Sequence, residues 1–217
     1  RHSEILMTPA FKPRTVQELA DYVAIGAKLE IVGRGTKRGL GRPLQAETAL
    51  DMSGFTGISL YEPEELVLEA GAGTPLSEIE RALAKNHQQL AFEPMDYTAL
   101  LGSAERGGTI GGALGANLSG PRRLKAGAAR DHFLGLTAVS GRGETFKSGG
   151  RVVKNVTGYD LCKLMAGSWG TLAALTEVTI KTLPRPETEA TVVVIGLDDA
   201  VAVRAMTAAM GSSCDVS

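Results

Sequence analysis

Residues 106–123 read RGGTIGGALGANLSGPRR and place six glycines at positions 107, 108, 111, 112, 115 and 120. Glycine loses more backbone freedom on folding than any other residue, so such a cluster marks positive-φ turns or a ligand laid against bare backbone. Thr109 can cap a helix start, and Ile110, Ala113, Leu114 and Leu118 follow at i, i+3, i+4 and i+8. Gly111, Gly112 and Gly115 then fall on the opposite face of a short helix. A helix with one face free of side chains and an open N-terminus would seat an anion on a large flat ligand. A flexible surface loop is the plainer reading of so much glycine, but it leaves the apolar periodicity unexplained.

A second glycine-rich loop, GRGTKRGLGRP, occupies residues 33–43, directly after the apolar run Leu29, Glu30, Ile31, Val32. A strand, a glycine turn and then basic residues suggest that backbone amides contact phosphate. Lys37, Arg38 and Arg42 could equally be solvated loop charges. The letters rule out familiar single-loop sites. No GK followed by Ser or Thr is present, and Gly33-Arg-Gly35 opens a dinucleotide fingerprint whose third glycine position is held by Arg38. The other parts of a protein-kinase nucleotide site are missing as well. What remains is two loops closing on one diphosphate, each supplying N–H groups. Charge-assisted bonds of that kind are worth roughly 1.5–3 kcal/mol each.

The elements that must position these loops alternate between helix and strand. Thr15-Val-Gln-Glu18 is a capping box, and Val16, Leu19, Ala20 and Val23 continue it as an apolar helix face to about Ala27. Strands are expected at 29–32 and 48–51, then at 66–70. Thr74 and Pro75 fit a helix N-cap followed by proline at the first helical position, with the helix running to about Asn86. Residues 90–92 read as a short strand, 134–139 and 144–147 as a hairpin around Ser140-Gly-Arg-Gly143, and 161–165 as a short helix. Residues 174–183 alternate as a half-buried strand, with Thr176, Val178 and Ile180 on one side and Leu175, Glu177 and Thr179 on the other. Pro184-Arg-Pro186 breaks the pattern. A strand at 190–195 and a helix through Val203, Met206 and Met210 follow it and look like the opening of a further domain.

Composition narrows the function classes. The formal net charge is −1, so no global field argues for nucleic acid, and no apolar run approaches membrane-span length. The first residues, RHSEILM, lack the apolar core of a signal peptide, and the Arg at the first position suggests a trimmed or excised piece. Two cysteines, Cys162 and Cys214, lie far apart without CxxC spacing and fit a reducing compartment. Cys162 is expected as a buried filler. His2, His87 and His132 show no metal-ligand spacing, and Trp169 reads as a core residue rather than a stacking platform. Arg122, Arg123 and Lys125 fit a solvated turn or a phosphate contact. Lys154, Asn155 and Tyr159 sit in a polar loop that could carry function or tie two strands together.

Taken together, VGRGTKRG at 32–39, GGTIGGALGANLSG at 107–120, ARDHFLGL at 129–136, GGRVVKNVTGYDL at 149–161 and GSWGTLAALTEVTIKTLP at 167–184 resemble the FAD-linked oxidases of the vanillyl-alcohol oxidase, or PCMH-type, superfamily. The likeness covers residues 14–185. Within it, SGPRR at 119–123 and LMAGSWG at 164–170 are most similar to the FAD-binding E-type subunits of bacterial glycolate oxidases. The resemblance implies an α+β, PCMH-type fold of two α/β subdomains, about 14–54 and 55–186, with FAD in the cleft between them. A lead-in at 1–13 and the first β-α pair of a truncated cap domain at 187–217 complete the expected layout. It implies that Gly33, Arg34, Gly35, Thr36 and Lys37 hold the pyrophosphate and that Thr109, Gly111, Gly112, Gly115, Ser119 and Gly120 line the other side. Glu177 and Val178 would lie by the adenine through backbone contacts. Asp96 precedes the second loop where the family often has an acidic or small polar residue, although the family's Asp-Pro order is not kept. Some members tether the flavin through a histidine in the first loop. Residues 33–37 hold neither His nor Cys, so FAD should be noncovalent.

The function this implies is the FAD-binding subunit or domain of a 2-hydroxy-acid oxidoreductase of glycolate oxidase type. It would pass a hydride to flavin and assemble with a related flavin subunit and an iron–sulfur subunit. The location implied is cytoplasmic, or peripheral on the inner membrane through those partners. No iron–sulfur cysteine pattern is present and no catalytic residue or metal site is assigned, the substrate-binding groups being expected in the missing cap. The isolated chain is therefore expected to be inactive. A non-catalytic flavin-holding or scaffolding subunit is the alternative. A protein that binds another nucleotide through the same loops is a more distant one.

Overall fold

The computed structural model describes residues 10–42, 44–103, 107–151, 158–214 and 216–217; Lys154 and Asn155 lie outside the described residues. The chain opens with β1 (Ala10–Phe11), α1 (Val16–Ala24), β2 (Leu29–Val32) and β3 (Thr48–Asp51), whose strands form a parallel sheet in the order β1-β3-β2. Thr15 caps α1 by accepting from the Glu18 N–H at 3.1 Å, while the Glu18 carboxylate accepts from the Arg14 N–H at 2.8 Å, one residue outside the expected box. The helix stops at Ala24, short of the expected Ala27, because Gly26 turns the chain at φ +84°. Its apolar face, Leu19, Ala20 and Val23, packs on Leu50 of this sheet and Met52 just after it, and on Val139 and Ala174 from the next sheet. One helix thereby ties the two sheets together.

The remaining elements are β4 (Ile58–Glu62), β5 (Val67–Gly71), α2 (Leu76–Ala84), β6 (Gln88–Gln89), α3 (Thr98–Leu101), α4 (Ile110–Ala116), α5 (Arg123–Ala126), α6 (Ala129–His132), β7 (Phe133–Ser140), β8 (Thr145–Gly149), α7 (Leu161–Met165), β9 (Ala173–Lys181), β10 (Leu183–Pro184) and α8 (Asp199–Met210). Five strands form an antiparallel sheet in the order β4-β5-β9-β7-β8, and β10 pairs with β6. Leu76, Ile79 and Leu83 of α2 and Ile110, Ala113 and Leu114 of α4 bury against Leu68, Leu136, Val178 and Ile180 of this sheet. Burying such side chains stabilises by about 1.5–3 kcal/mol each, which offsets the entropy of ordering the glycine-rich connections.

Several sequence expectations are corrected. Residues 90–92 form a buried turn, and the strand is the preceding Gln88–Gln89 pair. Thr74 does not cap α2. Its hydroxyl accepts from the Gly57 N–H at 2.9 Å, Pro75 takes the cap position, and the helix ends at Ala84. The alternation along β9 is broken by a bulge. Ala138 opposes Leu175 and Thr137 opposes Glu177, so Thr176 is the extra residue. The bulge turns Ala173 and Leu175 into the same core as Val178 and Ile180, and the strand is buried along most of its length. No strand forms at 190–195. Val192 to Ile195 are exposed without regular structure, and α8 buries no residue.

Candidate functional site

β2 delivers the chain into the loop at 33–37, and α4 stands opposite. Gly33 marks the closest approach, because a Cβ there would fall 2.4 Å from the Thr109 hydroxyl oxygen. A cavity of about 500 Å³ opens beside this contact. Its walls are β2, residues 33–38, Thr109, Gly111, Gly112, Gly115 and Ala116, and residues 168–171 between α7 and β9, with Met52, Ala72, Ala173 and Leu175 behind them. Nine residues expected in the site meet here: Gly33, Arg34, Gly35, Thr36, Lys37, Thr109, Gly111, Gly112 and Gly115.

The glycines of α4 divide into two kinds. Gly111 is a packing glycine, since a Cβ would lie 2.8 Å from both the Cβ and the carbonyl oxygen of Ala72. Gly112 and Gly115 face the cavity, and only Gly115 has open space in front of it. A Cβ on Gly112 would meet only the Thr109 hydroxyl at 3.2 Å and the Lys37 Nζ at 4.0 Å, and one on Gly115 would meet nothing within 4 Å.

The anion seat is not the start of α4. Thr109 caps the helix as expected, but the first amides are already committed. Ile110 N–H donates to Thr74 O at 3.0 Å, Gly111 N–H to Ala72 O at 2.8 Å, Gly112 N–H to the Thr109 hydroxyl at 3.2 Å and Ala113 N–H to Thr109 O at 2.9 Å. The open donors lie across the cavity. Among the described residues, the backbone N–H groups of Gly35, Thr36 and Lys37 donate to no protein acceptor. Gly35 sits at φ +67°, which glycine adopts at little cost, and successive amides around such a turn make an anion-binding concavity.

Lys37 also lines the cavity. A Cβ on Gly108 would stand 3.2 Å from its Nζ, and among the described residues the ammonium has no hydrogen-bond or ion-pair partner. Burial pushes its pKa below the ordinary lysine value, and the Asp96 carboxylate offsets part of this. Asp96 accepts from the Thr98 hydroxyl and from the Thr98 N–H at 3.0 Å, bonds that hold its carboxyl below the usual carboxylate range. Arg38 lines the cavity too, but its guanidinium is paired with Glu30. Three open amides and a partly desolvated cation in one cavity, with the side-chain-free Gly112 and Gly115 on its wall, suit a diphosphate carrying extended planar groups. The residues present therefore fit FAD.

Four expected residues are not brought to this cavity. The Ser119 hydroxyl is buried and accepts from Ala129 N–H at 2.9 Å. Gly120 packs on Glu93 and borders a separate cavity of about 480 Å³ with Arg122, Arg185 and Glu189. Glu177 and Val178 lie inside the ladder between β5 and β7, opposite Gly71 and Thr137 and opposite Ala70 and Leu136. Arg122 pairs with Glu93 at 3.2 Å and with Glu189 at 3.0 Å rather than lying solvated, and Tyr159 is exposed. Conversely, sequence reasoning missed residues 168–171. Trp169 is 49 % exposed on the cavity wall instead of buried in the core. The signal was present in its flanking glycines, 167 and 170, both at positive φ.

A family model described as an FAD binding domain matches residues 9–149. Glycolate oxidase subunit GlcE of Escherichia coli is 45% identical over 158 residues, covering 73% of this chain and 43% of that protein. An uncharacterized FAD-linked oxidoreductase of Mycobacterium tuberculosis, Rv2280, is 31% identical over 202 residues, 88% of this chain and 42% of its own length. Glycolate oxidase subunit GlcD of Bacillus subtilis is 31% identical over 188 residues, 84% of this chain and 38% of its own. The chain thus spans less than half the length of these relatives. No helix among the described residues is long and apolar enough to cross a membrane. With a family model matching residues 9–149 and a relative 45% identical over 73% of this chain, the chain belongs to the FAD-binding domain family, and its cofactor is FAD.

Proposed function

We propose that this chain is the FAD-binding domain or subunit of a 2-hydroxy-acid oxidoreductase of glycolate oxidase type. The observation that carries the reading is one cavity that brings together the open amides at 35–37, the Lys37 ammonium and the side-chain-free Gly112 and Gly115. The similarity to GlcE and GlcD supplies the substrate class. Residues 33–37 would hold the diphosphate, and Thr109, Gly112 and Gly115 would line the body of the cofactor. Bound FAD would supply the two-electron acceptor for oxidation of a hydroxy acid to an oxo acid. The chain's own residues bind and orient it. Lys37 neutralises phosphate charge, Thr109 fixes the start of α4, and the aliphatic wall of Ile31, Val32 and Leu175 excludes water.

On this reading residues 14–54 and 55–186 are the two subdomains, residues 187–217 belong to a cap, and the isolated chain does not oxidise glycolate. A related flavin subunit and an iron–sulfur subunit are the proposed partners, with a cytoplasmic or peripheral inner-membrane location through them. Attachment should be noncovalent, since residues 33–37 offer no His or Cys. A flavin-holding subunit whose partner carries the chemistry is the second reading. It is favoured by the absence of histidine among the described residues lining the cavity.

The absorption spectrum of the purified protein, followed by acid precipitation, tests the assignment. Flavin bands that move to the supernatant as FAD are expected. Failure to bind FAD on titration would overturn it, and colour retained by the precipitate would overturn the noncovalent attachment. Glycolate turnover with an artificial acceptor, measured on the full-length subunit alone, separates the catalytic from the holding role.

A further inference from the structure

Trp169 is held in a conformation that packing alone does not explain. Its backbone sits at φ +55°, a region bulky residues rarely occupy. The indole is 49 % exposed and, among the described residues, makes no ring contact or hydrogen bond through its side chain. Yet the loop that presents it is clamped. Gly167 N–H donates to Leu114 O at 3.3 Å and Trp169 N–H to Gly115 O at 2.9 Å, so the loop takes up carbonyls at the C-terminal turn of α4. On its other side Gly170 abuts Ile31 of β2 so closely that a Cβ would lie 3.0 Å from that side chain. Strain maintained by such clamping belongs at ligand sites. Lys37 stands by Gly108 and Gly112, before and within the first turn of α4, whereas Trp169 stands at its last turn. Lys37 and Trp169 line the same cavity.

We propose that Trp169 is a stacking platform that fixes one planar heteroaromatic ring of the cofactor at the end of the cavity away from Lys37. The inference rests on the cavity being the FAD seat. Adenine and isoalloxazine share the required chemistry, a flat π-face that an indole covers without hydrogen bonds. Exposure of the indole in the ligand-free chain then has a purpose, and the glycines on both sides let the loop hold it there.

Equilibrium dialysis against FAD, FMN and ADP tests this on the unmodified chain and on Trp169→Phe and Trp169→Asn. Asparagine tolerates positive φ, so Trp169→Asn should unfold at the same temperature as the parent or a higher one, which separates a ligand role from a structural one. Its FAD affinity should fall about ten- to hundred-fold, the usual effect of deleting an aromatic stack, while Trp169→Phe keeps most of it. A penalty seen with FMN but not ADP assigns the isoalloxazine, and the reverse assigns adenine. FAD binding by Trp169→Asn as tight as the parent's would overturn the platform while leaving the seat intact. No FAD binding by the parent would overturn both.

Discussion

Gly115 gives the sharpest test of the cavity, because its replacement should separate folding from ligand binding. It lies in the last turn of α4, its φ is not positive, and a Cβ built on it meets nothing within 4 Å. Replacing a helical glycine by a residue with a side chain removes unfolded-state freedom worth about 0.5–1 kcal/mol. For a chain of this size each kcal/mol moves the midpoint by about 2–4 °C, so ligand-free Gly115→Leu should melt roughly 1–4 °C higher than the parent. The same side chain projects into the cavity. Forcing the ligand against it should cost as much as overpacking a core, about 1–3 kcal/mol, or roughly ten- to hundred-fold in FAD affinity. Calorimetry of the apoprotein and titration by flavin fluorescence measure the two effects on one preparation. Unchanged FAD affinity in a folded Gly115→Leu protein would show that this face does not touch the ligand. A large drop in apoprotein stability would show that the space in front of Gly115 is needed for packing.

Gly111→Ala should behave oppositely, losing about 1–3 kcal/mol of stability because its Cβ would press on the Ala72 backbone; a melting point equal to the parent's would contradict that. Lys37→Met should weaken FAD about ten- to hundred-fold through loss of a charge-assisted contact. Since burial lowers the free-state Lys37 pKa below 10.5 and a bound diphosphate would raise it, binding takes up a proton once pH exceeds the free-state value. Affinity should therefore fall as pH rises through that value. Lys37→Met should remove this slope, and a slope that persists unchanged points to another group. The Cys162 thiol is buried and pushed up to about 11, so thiol reagents at pH 8 should modify only Cys214 until the chain is unfolded; two equivalents titrating in the native state would contradict this.

Some of this was legible locally. The Thr109 cap, the apolar face of Ile110, Ala113 and Leu114, and the strand entering the loop at 33–37 follow from residue types and spacing, because caps and periodicities are set by neighbours in the chain. The sequence also shows glycines at 111, 112 and 115, but not that they differ. Only the approach of Ala72 from the end of β5 makes Gly111 a packing residue, while Gly112 and Gly115 are left facing the cavity. Likewise the amides at the start of α4 looked open to an anion. Tertiary hydrogen bonds to Thr74 and Ala72 close them and leave the amides at 35–37 as the available donors. The bulge at Thr176 shifts the face of β9, and no local pattern announces it, because it arises from matching β9 to β7. Trp169 failed for the same reason. Its apolar type argues for burial, but two backbone bonds to α4 and the contact of Gly170 with Ile31 hold it on the cavity wall. Periodicity reports which face of an element is apolar; which neighbour fills or leaves that face open is decided by contacts between residues distant in the chain.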